Sequence, residues 1–363
     1  MAVQFPRPVL ADEYERCIAL EEVFVTKVED KACISSILKA LKSSLPLPGL
    51  EHLKRVKSLD DGVSIVLCRS SDVTDINSFF REICEMWNIR VDGLGQPLVA
   101  MVPRHQCLTR QQFEDASKHW PVNYHENKHV ARAISGELFD DVELKEMKQY
   151  MELAIAAANH CMTMKKDPVG AVVVDAHTHS VLAISCDHTC NHPLQTAVMV
   201  CVDLIAQSQG GGVYQLGVPF ANAHLCSQLK DCISNQFSST DQLAGCLLDR
   251  LLVTGENREP TTHKTAENQM PYCSNRKRKL HMQHDEKSSQ PYLCTGYDLY
   301  ITREPSIMCA MALVHSRIRR VFYRVVDPNR GALGSTCKLH VQHGLNHHFE
   351  VYVGGLCEAD YIS

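Results

Sequence analysis

Apolar and polar positions alternate with the period of a strand along Glu22-Val23-Phe24-Val25-Thr26-Lys27-Val28. The period then changes. From Lys31 to Leu45, Ile34, Ile37, Leu38 and Leu41 share one helical face, and Pro46-Leu47-Pro48-Gly49 ends the helix. Strand-like runs at 53–57 and 63–68 flank Asp60-Asp61-Gly62, which reads as a hairpin turn. A second helix over Ile76 to Trp87 precedes short strands at 89–91 and 98–102. The order βαββαβ predicts a ferredoxin-like α+β domain within residues 1–107.

Residues 108–138 are polar, carry many His and Lys, and read as a linker. A second periodic region begins near Phe139. Leu144, Met147, Met151, Ala154, Ile155 and Ala158 line one face of a helix over Asp141 to Met164. Two apolar runs, 169–174 and 180–185, flank Asp175-Ala176-His177-Thr178-His179 as a hairpin. A helix from Pro193 to about Ile205, a strand at 297–302, a helix from Pro305 to His315 and a strand at 319–323 follow. That α-β-β-α-β-α-β order predicts a three-layer α/β/α domain over 139–363. It is interrupted at about 207–290, where Gly210-Gly211-Gly212 opens a polar insert that is expected to be largely disordered.

Two segments of the second region carry chemistry. Nucleobase deaminases use H-x-E followed downstream by P-C-x-x-C, in which His and two Cys hold zinc and Glu moves protons. Here Pro305-Ser306-Ile307-Met308-Cys309 matches the second half with one thiolate replaced by a hydroxyl. The first half aligns on Thr196-Ala197-Val198, which puts Thr196 at the His position and Val198 at the Glu position. Cys309 alone of the ligand residues is retained.

At these residues the chain resembles the deaminase-like, non-catalytic subunit of the eukaryotic tRNA-specific adenosine deaminase, within the cytidine/deoxycytidylate deaminase superfamily. The likeness extends over Tyr292 to Tyr300, Ala312 to Ile318, Gly331-Ala332-Leu333-Gly334 and Leu345 to Phe349, and so spans most of Asp141 to Ser363. The resemblance implies a cytidine-deaminase-like fold, a heterodimer with a catalytic deaminase subunit, and tRNA as substrate with wobble adenosine 34 converted to inosine. It also implies zinc, and a place in nucleus and cytoplasm. That family carries Val where catalytic subunits carry Glu, as Val198 does here. It otherwise keeps its zinc ligands, whereas Thr196 and Ser306 stand at two of the three ligand positions of this chain.

Composition narrows the picture only slightly. A formal charge of -5 over 363 residues gives no global nucleic-acid signature, so RNA contacts must come from local patches. Lys54, Arg55, Lys57, Arg69 and Arg104 are candidates in the first domain, Lys118, Lys128 and Arg132 in the linker. Arg276-Lys277-Arg278-Lys279 reads as a solvated basic run, with RNA contact or nuclear import as alternatives. Seventeen Cys behind an N-terminus without a secretory pattern read as reduced thiols. No run of about 18 apolar residues predicts a membrane span.

Two other functions stay open. The chain would remain a zinc deaminase if Cys190 or His192 replaced the missing ligands and Asp187 or Glu304 moved protons. It would be an RNA-binding scaffold if it acted outside a heterodimer. Met308, Met311 and Leu313 are expected to supply apolar surface for a protein partner.

Overall fold

A computed structural model of the chain describes residues 5–28, 34–59, 62–86, 94–161, 168–190, 192–212 and 292–357. The predicted strand at 89–91, the run Arg276–Lys279 and nearly all of the predicted insert lie outside the described residues. The chain divides into two compact units, Leu10–Leu138 and Met1–Val9 with Phe139–Ser363, so the first unit is inserted behind the opening strand of the second.

That opening strand is β1 (Arg7–Pro8). The inserted unit runs α1 (Asp12–Glu15), β2 (Leu20–Val28), α2 (Ile34–Ser44), β3 (Val56–Leu59), β4 (Gly62–Arg69), α3 (Ile76–Met86) and β5 (Leu98–Pro103). Its antiparallel sheet has the order β3-β4-β2-β5. This is the sheet of a split βαβ arrangement, with the two strands that precede the helices in the middle. The pattern of alternation explains two cores. Val28, Ile65 and Leu67 pack with Ile37 and Leu41 of α2 and Phe80 of α3. Val23, Val25, Val66 and Val102 turn to the other face.

That second face is covered by residues of the predicted linker. Segment 108–138 forms α4 (Arg110–His119) and α5 (Lys128–Ser135), and Ala116, Trp120 and Val122 join the core with Cys107. Its mean polarity hid a narrow apolar stripe. A capping box at Thr109 and Gln112 starts α4, and the Trp120 indole N–H donates to Lys54 O at 2.6 Å.

The second unit continues with α6 (Asp141–Cys161), β6 (Gly170–Asp175), β7 (Ser180–Cys186), α7 (Ala197–Ser208), β8 (Tyr297–Arg303), α8 (Ile307–Ser316), β9 (Arg320–Val325) and β10 (Glu350–Val353). The six strands lie in the order β1-β10-β9-β8-β6-β7. Strands β8, β9 and β10 are parallel, while β6, β7 and β1 pair antiparallel. Strand β8 shows how the sheet divides its side chains. Tyr297, Leu299 and Ile301 enter the core that holds α7 and α8, whereas Tyr300 stacks on Phe322 at 4.9 Å and meets Tyr150 of α6 at 5.2 Å. Helix α6 also approaches closely at Gly170, where a Cβ would stand 1.9 Å from Ala154 O. The mixed α/β architecture therefore brings the first turns of α7 and α8 together on one side of the sheet.

Candidate functional site

The site stands where α7 and α8 begin. Each helix opens on a residue of the altered signature. Thr196 is the N-cap of α7, extended at φ -75° and ψ 160°, and its Oγ1 accepts from Met199 N at 3.4 Å. Ser306 is the N-cap of α8 at φ -69° and ψ 169°, and its Oγ accepts from Cys309 N at 3.5 Å. Both bonds are long for N–H···O contacts. Thr196 Oγ1 also lies 3.2 Å from Cys309 Sγ, where either atom serves as donor. The three ligand positions of the signature are thus adjacent, although Thr196 and Cys309 lie 113 residues apart.

Val198, which the sequence alignment sets at the Glu position, is buried in the apolar core with Ala197, Cys201, Ala310 and Leu313. The Cys201 thiol beneath it is pushed up to about 12 by burial, so it stays protonated.

The carboxylates considered as substitutes are engaged by backbone. Asp187 Oδ1 accepts from Ala197 N at 2.9 Å, at the positive end of α7. Glu304 is buried, accepting from Leu333 N at 2.9 Å and Ser335 N at 3.0 Å through Oε1 and from Asp327 N at 3.0 Å and the Ser335 hydroxyl through Oε2. It anchors the loop behind α8. Cys190 and His192 are exposed, and the His192 ring accepts from Leu194 N at 3.3 Å through Nδ1. Among the described residues no three His, Cys, Asp or Glu are grouped so as to hold a metal ion.

Three apolar side chains are exposed at or just before the two helix starts. Leu194, Ile307 and Met308 are exposed, the last two at 56% and 37%. Leu313, expected on this surface, is instead in the core, because it lies four residues after Cys309 on the buried side of α8, and Met311 is half-buried.

The basic candidates of the inserted unit also separate. Arg55 turns inward and donates to the carbonyls of Val66, Leu41 and Leu67 at 3.1, 3.4 and 2.9 Å. Burial lowers its guanidinium to about 10. Lys57 Nζ donates to His119 O at 2.8 Å and lies 5.5 Å from the Trp120 ring centroid. Arg69 Nε lies 3.2 Å from Glu21 Oε1 without hydrogen-bond alignment. Lys54 and Arg104 remain exposed. In the second helical segment, Lys118 pairs with Asp115 at 2.6 Å and Arg132 donates to Glu137 O at 2.8 Å, while Lys128 is exposed. No helix among the described residues is long and apolar enough to cross a membrane.

Known proteins share both units. Residues 21–120 match the family described as tRNA-specific adenosine deaminase TAD3 N-terminal domain, and residues 144–325 match the cytidine and deoxycytidylate deaminase zinc-binding region. The chain is 35% identical to the "Probable inactive tRNA-specific adenosine deaminase-like protein 3" of Danio rerio, over 97% of this chain and 92% of the relative. The protein of that name in Homo sapiens is 38% identical over 97% and 89% of the two chains. The "tRNA-specific adenosine deaminase TAD3" of Arabidopsis thaliana is 23% identical over 95% and 93%.

Proposed function

Because this chain belongs to the TAD3 family of tRNA-specific adenosine deaminase proteins, we propose that it is the non-catalytic subunit of a heterodimer that converts adenosine 34 of tRNA to inosine. The observation that carries the reading is Val198, buried in the core at the position of the proton-carrying Glu. Adenine deamination needs a nucleophile at C6 and a carboxylate that moves protons to the ring and to the departing ammonia. Val198 has no group to do this, and loss of general acid/base transfer alone removes about 10² to 10⁴-fold in rate. Asp187 and Glu304 are committed to backbone N–H groups and do not replace it.

Catalysis then belongs to a partner chain. The exposed Leu194, Ile307 and Met308 supply apolar surface next to the site for that partner to cover. The inserted unit contributes RNA binding, with the exposed Lys54 and Arg104 among the basic side chains that reach phosphates. The pair works on tRNA in nucleus and cytoplasm.

The test is co-expression with a catalytic tRNA adenosine deaminase chain, followed by measurement of inosine at position 34 for each chain alone and for the pair. The reading requires co-purification and conversion by the pair only. Conversion by this chain alone refutes it, and tRNA binding without any association with a catalytic chain makes it a scaffold instead.

A further inference from the structure

Both ligand positions at which this chain departs from the zinc signature are helix N-caps. Thr and Ser are favoured caps, because a short side-chain oxygen reaches an N–H of the first turn that the helix leaves unpaired, whereas His and Cys have no such preference. We infer that the site has been converted from holding metal to capping helices, so that the junction of α7 and α8 is built and held without zinc.

Donor chemistry carries the first step. Zinc sites of this class take thiolate or neutral imidazole from the protein, and at least three such ligands. Thr196 and Ser306 offer neutral hydroxyls, which leaves Cys309 as the lone soft donor of the three. Distance is not the obstacle. The 3.2 Å between Thr196 Oγ1 and Cys309 Sγ is close to the roughly 3.5 Å that two ligands span around a tetrahedral zinc. What has changed is the use of the donors.

Thr196 Oγ1 accepts the Met199 N–H, and an oxygen that accepts in this way still has its own proton to direct at Cys309 Sγ. Ser306 Oγ accepts the Cys309 N–H, so the retained cysteine is tied to both caps, one through its sulfur and one through its backbone. Asp187 satisfies a further first-turn donor of α7 at Ala197. Below the caps, Val198, Cys201, Ala310 and Leu313 pack the helices against the sheet. A bound structural metal contributes folding free energy directly. Here caps, a hydroxyl–thiol bond and apolar packing stand in its place.

The experiment uses the full chain, produced in zinc-supplemented medium without a catalytic partner, and reads zinc by elemental analysis and thermal unfolding with and without a tight chelator. Neither reading depends on tRNA or on a partner. Zinc well below one equivalent and a melting temperature unmoved by chelator are expected. Thr196→Val and Ser306→Ala should each lower the melting temperature by up to about 2–4 °C, the shift of a lost cap in a domain of this size. Thr196→Asp should hold near the wild-type value. The pair Thr196→His with Ser306→Cys should bind zinc and become sensitive to chelator. One zinc per wild-type chain, with a melting temperature that falls on chelation, overturns the inference. Cap removal without thermal effect overturns its structural half.

Discussion

Gly331 leaves room for the Glu304 carboxylate: a Cβ at position 331 would stand 2.2 Å from both Cδ and Oε2 of that side chain. The carboxylate is held by three backbone N–H groups and a hydroxyl, so it has nowhere to move. Gly331→Ala is therefore expected to destabilise the second unit by about 2 kcal/mol or more, as overpacking in a rigid site does. Glu304→Gln puts an amide N–H against donors and should cost a similar amount, on the order of the 1–3 kcal/mol of a buried unsatisfied group. Urea denaturation checks both. A stability equal to wild type for either variant would mean that the loop behind α8 rearranges freely.

A buried ion pair spans two parallel strands. Arg320 of β9 donates to Asp298 of β8 through Nε at 3.0 and 3.1 Å and through Nη2 at 2.5 Å, and its guanidinium carbon lies 5.6 and 5.4 Å from the ring centroids of Phe139 and Phe322. Asp298→Ala leaves a buried guanidinium without its anion and should cost about 3–5 kcal/mol. Replacing both partners with apolar residues, Asp298→Leu with Arg320→Met, should be less damaging than either single change, because no charge remains to be desolvated. A double-mutant cycle reads this directly. Simple additivity of the two losses would contradict it.

Arg55 is a structural cation rather than an RNA contact. Three carbonyls from α2 and β4 share its guanidinium, which an ammonium cannot reach together. Arg55→Lys should keep the charge, lower the stability of the inserted unit by about 1–2 kcal/mol and leave tRNA affinity of the folded protein unchanged. Lys54→Ala and Arg104→Ala should do the opposite, weakening tRNA binding and reducing its salt dependence without loss of stability. Filter binding at two salt concentrations separates the two classes.

His340 makes stability sensitive to mild acid. Its Nε2 lies 2.8 Å from Val9 O, which can only accept, so the Nε2–H tautomer is present and Nδ1 has no partner among the described residues. Burial holds the imidazole below its ordinary value, Lys338 and His348 act in the same direction, and the Val9 carbonyl and Glu304 oppose them. The unfolded chain thus takes up a proton that the folded chain refuses. Stability from this group is fully present above the ordinary histidine value of about 6.5 and declines as pH falls below it. His340→Phe should be less stable at neutral pH, for want of the bond to Val9, and should flatten the pH dependence between neutrality and mild acid. Parallel pH profiles for the two proteins would exclude His340 as the source.

Local information was enough for much of this protein. Periodicity placed β2, α2, β4, α3 and, in the second unit, α6, β6, β7, α7, β8, α8 and β9, though not β10, because the burial of one face repeats every two or 3.6 residues within a single element. Residue type at Thr196, Val198, Ser306 and Cys309 was enough to suggest a deaminase signature with its ligand and proton-carrying positions altered. Tertiary structure alone decided how polar groups were used. A charge or hydroxyl in sequence does not reveal which carbonyl, N–H or carboxylate folding will leave beside it without water. Hence Arg55 and Lys57 turned out to hold strands and a helix end, Glu304 to anchor a loop about thirty residues downstream, and Thr196 to meet Cys309 across 113 residues. The same reason hid β1, two residues that pair with β10 only because that sheet edge exposes unpaired backbone, and the Trp120 stripe within a polar segment, whose burial depends on a sheet face built elsewhere in the chain.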